Sequence, residues 1–341
     1  MMPPDHLLPY SQSSEVALEK VVTWFCGLPT RDDGGSGAAP FYCDPARVGG
    51  FAVDREELAA GTDAAVFKLF VTLSMYQALR DVVVSRQQQS LLYEAMRTVA
   101  DSRFVGASID QHSCPALRSA ESLEADCDVV KRDGAVDCLT CPGVSCPVKD
   151  ASVTFNRMGD MGKLPASAWL RVWQDGGLPL LLEEVLRTEA TPARRADALV
   201  LRFATVHRVG RKLATMFVSA LSTPALAPGL TPWFPAVDGN HLVVVDTNVA
   251  RAVDALRAPD APKTYEARST WVREQAALID LRKFRADLPA FSPRIVQEAL
   301  YVFCSKSNRV VRGDACAGRR SPCEGCIPTL CPFAAGWTEP T

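Results

Sequence analysis

The sequence has no run of about 18 apolar residues, the length a membrane-spanning helix needs, so no membrane partner is expected. It has no excess of one charge either. Lys and Arg number 37 against 39 Asp and Glu, a formal net charge of −2. That balance excludes bulk attraction to nucleic acid, so any such contact must come from local basic patches. Strict apolar–polar alternation is scarce, which argues against a sheet-rich fold. The stretch Met1 to Lys20 is polar and contains proline. It lacks the basic-then-apolar order of a secretory signal, and a cytoplasmic protein is the expectation.

What is present is enough for a sizeable core. The 341 residues are 48% hydrophobic, which suits one large or two small domains. Twelve cysteines are many for such a chain. Cytosolic thiols stay reduced, so clustered cysteines read as metal ligands before they read as disulfides. The isolated Cys26, Cys43 and Cys304 read as small buried hydrophobes.

Apolar spacing predicts helices over Ser14 to Cys26, Ala64 to Val84, Gln88 to Val99, Arg194 to Val206, Arg211 to Leu221 and Thr247 to Leu256. The C-terminal part reads as helical to about Cys304. The fold class is therefore mainly α. Asp101 to Asp150 changes character, with Cys114, Cys127, Cys138, Cys141 and Cys146 among charged residues and little periodicity. It reads as an inserted, metal-stapled lobe.

Two cysteine groups share the pattern C-x2-C-x4-C-P. At the C-terminus, Cys316, Cys323, Cys326 and Cys331 follow C-x6-C-x2-C-x4-C. Zinc and a [4Fe–4S] cluster both accept four sulfurs at close spacing. Arg319 and Arg320, inside that loop, are candidate phosphate contacts. In the insert, Cys127, Cys138, Cys141 and Cys146 form a second candidate metal site, zinc or iron–sulfur, with His112 nearby and Cys114 as an alternative ligand.

Val206-His-Arg-Val-Gly-Arg-Lys-Leu-Ala214 lies between two amphipathic helices. Gly210 would allow a tight turn, and the backbone N–H groups of the second helix would form an anion site suited to a DNA phosphate. Lys212 falls at the start of that helix, about 90° off its apolar face. A cation there is electrostatically disfavoured, which suits an amine nucleophile, although a solvated surface lysine has the same sequence signature. Asp246, in Val243-Val-Val-Asp-Thr-Asn-Val-Ala-Arg251, follows an apolar run and precedes a helix, so it reads as an N-cap. A buried carboxylate there would also stabilise positive charge on a sugar.

These stretches, in this order, resemble the helix-hairpin-helix DNA glycosylase superfamily in its endonuclease III-like iron–sulfur branch. That family carries a hairpin L-P-G-V-G-x-K-T-A, then V-D-T-x-V-x-R, then four clustered cysteines. The matching stretches are Val206 to Ala214, Val245 to Arg251 and Cys316 to Cys331. His207 and Arg208 stand where the family has Pro-Gly, the gap from Lys212 to Asp246 is longer, and the last cysteine gap is one residue shorter. Phe67 to Asp81 looks like the family's early helix, which ends in a glutamine facing the gap left by the extruded base, here Gln77.

The resemblance implies two helical domains with a cleft between them, a C-terminal iron–sulfur loop and the inserted cysteine-rich lobe. The implied bounds are an N-terminal segment 1–63 packing with the C-terminal domain, a helical barrel domain 64–250 with hairpin 206–214, and a C-terminal part 251–341. It implies a monomer acting on double-stranded DNA with a flipped-out base. Lys212 would attack C1′ and cleave the strand through a Schiff base, making the enzyme a glycosylase with AP-lyase activity. Asp246 would stabilise the developing charge, and a [4Fe–4S] cluster would sit on the C-terminal cysteines. Gln77, Arg208, Val209, Gly210, Arg211, Arg251, Arg319 and Arg320 would contact DNA. A non-catalytic, DNA-structure-binding iron–sulfur protein on the same scaffold is the alternative.

Overall fold

The computed structural model describes residues 10–27, 40–77, 81–132, 135–155 and 160–305. These residues are mainly helical. Their only sheet is an antiparallel pair, Val130–Arg132 against Ala135–Asp137. No described helix is long and apolar enough to cross a membrane. The chain divides into two units, one from Met1–Ala38 with Asn240–Thr341, the other from Ala39–Gly239. Residues 39–63 thus count with the middle unit and 240–250 with the terminal one.

The terminal unit contains the helices Tyr10–Cys26, Thr247–Leu256, Tyr265–Ala276 and Pro293–Cys304. Val249, Ala252, Val253 and Leu256 recur every three or four residues and are buried, as are Leu18, Val21 and Val22. Asp246, Thr264 and Ser292 each cap a helix by accepting the N–H three residues on, and Pro293 opens the last helix. The first helix packs on the last, where Trp24 meets Phe303 edge to face at 5.1 Å.

The middle unit is built on the helix Asp63–Ser74, most of whose residues are buried. A helix apolar on all sides belongs inside a core. Phe70 packs against Trp173, Phe203 and Phe217 at 5.6, 5.4 and 5.0 Å between ring centroids. Phe203 and Phe217 come from the helices Pro192–Phe203 and Arg211–Ser222, which pack on each other.

Three sequence expectations need correcting here. The helix expected over 64–84 stops at Ser74, and a separate helix runs Asp81–Ser90. Side chains supply the reason, because an ending helix leaves carbonyls to satisfy. Gln77 Nε2 donates to the Ser74 carbonyl at 2.8 Å, and Gln88 Nε2 donates to that of Thr72 at 3.1 Å. The helix expected over 88–99 accordingly becomes Tyr93–Ala100. The region 101–150 is also more regular than its composition suggests. It holds the helices Ser102–Asp110 and Ala120–Asp126, the two-stranded pair, and the start of the helix Pro147–Thr154. Ser102–Asp110 packs on Asp63–Ser74 and on Tyr93–Ala100, so it belongs to the body of the unit. The cysteine-bearing part begins only at Cys114.

Candidate functional site

The hairpin joins Pro192–Phe203 to Arg211–Ser222. Its turn is closed by Val209 N–H donating to the Val206 carbonyl at 2.9 Å. Val206 and Val209 are buried and anchor it to the core. The sequence points to Gly210 as the residue that makes the turn possible, and the structure corrects this. Gly210 is extended (φ −85°, ψ 177°), and a Cβ added to it would meet nothing within 4 Å. The left-handed residue is Arg208, at φ 62°. A side chain disfavours that conformation, which glycine adopts freely.

Arg208 is held there by a carboxylate. Its Nε and NH2 donate to Asp160 Oδ1 at 3.0 and 2.8 Å. His207 Nε2 lies 3.2 Å from Asp160 Oδ2, and the His207 backbone N–H donates to Ser167 Oγ at 2.9 Å. Burial works against the Asp160 charge, but Arg208 and His207 hold this carboxyl below the usual range. Burial pushes His207 down, with the Lys163 and Arg208 charges adding to it against the pull of Asp160. The Arg208 guanidinium, a DNA contact in the sequence reading, is paired with Asp160 through Nε and NH2.

Lys212 is the second residue of the following helix, whose N-cap is Gly210. It is half-buried, and its Nζ donates to the Tyr76 carbonyl at 3.3 Å. This brings Lys212 beside Gln77, which lies past the end of its helix rather than at it. Arg211 is exposed on the same first turn.

Asp246 sits in the other unit as the N-cap of Thr247–Leu256. Oδ1 accepts the Val249 N–H at 2.7 Å, and Oδ2 accepts Asn248 Nδ2 at 3.2 Å. The carboxylate is half-buried, less enclosed than the sequence suggests. The buried run Leu242–Val245, outside helix and strand, leads into it. Gln297 Oε1 accepts the Val244 N–H at 3.2 Å, and Tyr265 Oη donates to the Val243 carbonyl at 2.8 Å. A buried segment outside helix and sheet must find such partners. Arg251 lies one turn along and donates to Asn248 Oδ1 at 3.0 Å.

In the middle unit, Cys114, Cys127, Cys138, Cys141 and Cys146 line one small cavity, together with the apolar Leu117, Val129 and Val148. Distant parts of the sequence come together there, and all five thiols are free. Among the described residues, no three His, Cys, Asp or Glu side chains are set to hold one ion, so the sulfurs ring a cavity rather than meet at a point. Burial pushes up the Cys127 and Cys146 thiols. Burial and the Asp128 carboxylate push Cys138 up to about 11. His112 is occupied by backbone, with Nδ1 accepting from Cys114 N at 3.0 Å and Nε2 within 2.8 Å of the Ser145 carbonyl.

Sequence reasoning missed the segment that links this lobe to the hairpin. Lys163, only 8% exposed, donates to the Cys127 carbonyl. Asp160 and Ser167, on either side of it, hold the hairpin. No local pattern marks these residues, because each acts through partners about 36 to 48 positions away. The C-terminal candidates Cys316, Cys323, Cys326 and Cys331, with Arg319 and Arg320, lie outside the described residues. Of the isolated cysteines, Cys26 and Cys43 are buried and Cys304 half-buried. Compared with protein-family models, with curated proteins and with solved structures, the chain matches none of them.

Proposed function

We propose that this chain is a base-excision DNA glycosylase of the helix-hairpin-helix, endonuclease III-like type, with AP-lyase activity, acting on a damaged or modified base flipped out of double-stranded DNA. The observation that carries this reading is the backbone of Arg208. It is left-handed at the position where the resembling hairpin motif has its first glycine, four residues before the lysine. A turn that keeps a glycine's conformation without a glycine argues for the shape of the motif beyond its spelling.

In this reading the Lys212 amine attacks C1′ of the extruded nucleotide. The C1′–N bond breaks as the Nζ–C1′ bond forms, and the base leaves with a proton. Opening of the sugar gives a Schiff base, and β-elimination then breaks the C3′–O bond. The Asp246 carboxylate, oriented by the Val249 N–H and the Asn248 amide, offers negative charge to the sugar as its oxocarbenium character develops. The C-terminal cysteines carry a [4Fe–4S] cluster in this proposal, and no step of the reaction runs through it. The half-buried Lys212 and its seat on the Tyr76 carbonyl support a positioned amine over a solvated surface lysine.

Borohydride trapping on duplex DNA containing an abasic site or a damaged base tests the proposal. A covalent adduct that disappears in Lys212→Ala is the expected outcome. The proposal fails if neither adduct nor base release appears across a broad lesion panel, and tight duplex binding without either would favour a non-catalytic DNA-structure-binding protein.

A further inference from the structure

The break after Ser74 leaves a carbonyl for the Lys212 amine. In a continuous helix the Tyr76 carbonyl would accept the backbone N–H four residues on. The helix instead ends at Ser74, and that carbonyl accepts Lys212 Nζ at 3.3 Å. The seat of the amine is therefore backbone from outside its own helix, within the same unit. A lysine side chain is long and freely rotating, so one such acceptor narrows the directions in which its nitrogen can attack.

Gln88 organises this end of the helix from a different element, Asp81–Ser90. Its side chain is fully buried. A buried amide is unfavourable unless its polar atoms are satisfied. Nε2 donates to the Thr72 carbonyl at 3.1 Å and lies 3.3 Å from Met75 Sδ, and Oε1 accepts the Tyr76 hydroxyl at 3.4 Å. One side chain thus touches three residues of the segment 72–76, where the chain leaves the helix. The Tyr76 ring also packs edge to face on Phe41, with centroids 5.2 Å apart. The backbone that presents Gln88 is itself held. Ser85 Oγ and Gln89 Nε2 donate to the Arg47 carbonyl. Gly49, at φ 56°, lies so close that a Cβ there would come within 2.8 Å of the Gln88 carbonyl oxygen.

We propose that Gln88 is a positioning residue for the Lys212 amine, acting through the Tyr76 carbonyl. Gln88 fixes where the helix ends, the helix end turns that carbonyl towards Lys212, and the carbonyl aims Nζ. Its part in base release rests on the glycosylase reading above, whereas the seat itself does not.

Reductive methylation of the full-length, DNA-free chain with formaldehyde and cyanoborohydride, read lysine by lysine, tests the seat. Wild-type Lys212 should label more slowly than the exposed Lys283. Gln88→Met keeps the bulk of the side chain without its amide, and should raise Lys212 labelling towards that of Lys283. The buried Lys163, seated on the Cys127 carbonyl, should stay slow and so reports an intact fold. In single-turnover assays on duplex DNA, the same variant should lower base release and Schiff-base formation roughly 10- to 100-fold, with duplex affinity unchanged. Should Gln88→Met fail to fold, Tyr76→Phe decides. It keeps the ring on Phe41, removes the hydroxyl that donates to Gln88, and should also speed Lys212 labelling. Lys212 labelling at the wild-type rate in the folded variant overturns the proposal, as does faster labelling with unchanged base release. A wild-type chain that traps no DNA, while its Lys212 labelling still responds to Gln88, would instead sink the glycosylase reading and leave the seat standing.

Discussion

At the scale of single residues, Asp246 combines two roles that substitution can separate. Asparagine caps a helix about as well as aspartate, whereas alanine costs about 1 kcal/mol. Asp246→Asn should therefore keep the stability of the terminal unit in urea unfolding while lowering base release roughly 100-fold or more. Asp246→Ala should lose both. An Asp246→Asn enzyme of unchanged rate would leave capping as the residue's whole function. Arg208 separates conformation from charge in the same way. Both Arg208→Ala and Arg208→Gly abolish the pair with Asp160, but only glycine relieves the left-handed backbone. Arg208→Gly should be the more stable of the two by about 1 kcal/mol, and the reverse order would sink the strain argument. Asp246 was legible in the sequence because a cap is set by its immediate neighbours. The turn at Arg208 was not, since glycine at 210 drew attention to a position that proves to be extended.

At the scale of elements, the short helix Lys163–Ala168 and the preceding Asp160 clamp the hairpin. The clamp titrates. An unfolded chain takes up a proton on histidine near pH 6.5, whereas His207 in the fold resists it. Stability contributed by neutral His207 is therefore present above about pH 6.5 and is lost as pH falls through its lowered folded value. Asp160 acts in the same direction at lower pH, holding its contribution above its ordinary carboxylate range and losing it as pH drops through the depressed folded value. Urea midpoints at pH 7.5 and 5.5 should fall on acidification, and the fall should be smaller in His207→Gln. Equal falls in the two proteins would remove His207 from the account. Several helices were legible from periodicity, Thr247–Leu256 to the residue. The break after Ser74 was not. It depends on the amides of Gln77 and Gln88 reaching back to the carbonyls of Ser74 and Thr72, and an apolar pattern carries no record of that.

At the scale of the molecule, the terminal unit is assembled from residues near both ends of the chain. The helix Tyr10–Cys26 supplies Leu18, Val21 and Val22 to its core and the Trp24 ring to Phe303. Deleting residues 1–27 should abolish the cooperative unfolding of the terminal unit and leave a transition from 39–239, which has its own aromatic core. Calorimetry that finds both transitions unchanged would contradict this. The sequence announced the mainly helical class and the ordered motifs. It also grouped Cys114, Cys127, Cys138, Cys141 and Cys146, which line one cavity, but not the turns that carry Cys114 to Cys141 and Cys146.

Lys163 makes the lobe and the hairpin creditors of one cation. Its ammonium is seated on the Cys127 carbonyl, and its charge is felt at His207. Excising the cysteine-bearing segment would take away the carbonyl that seats this ammonium and open it to solvent. The lobe is therefore not a detachable cassette, because the residue seated on it also bears on the hairpin.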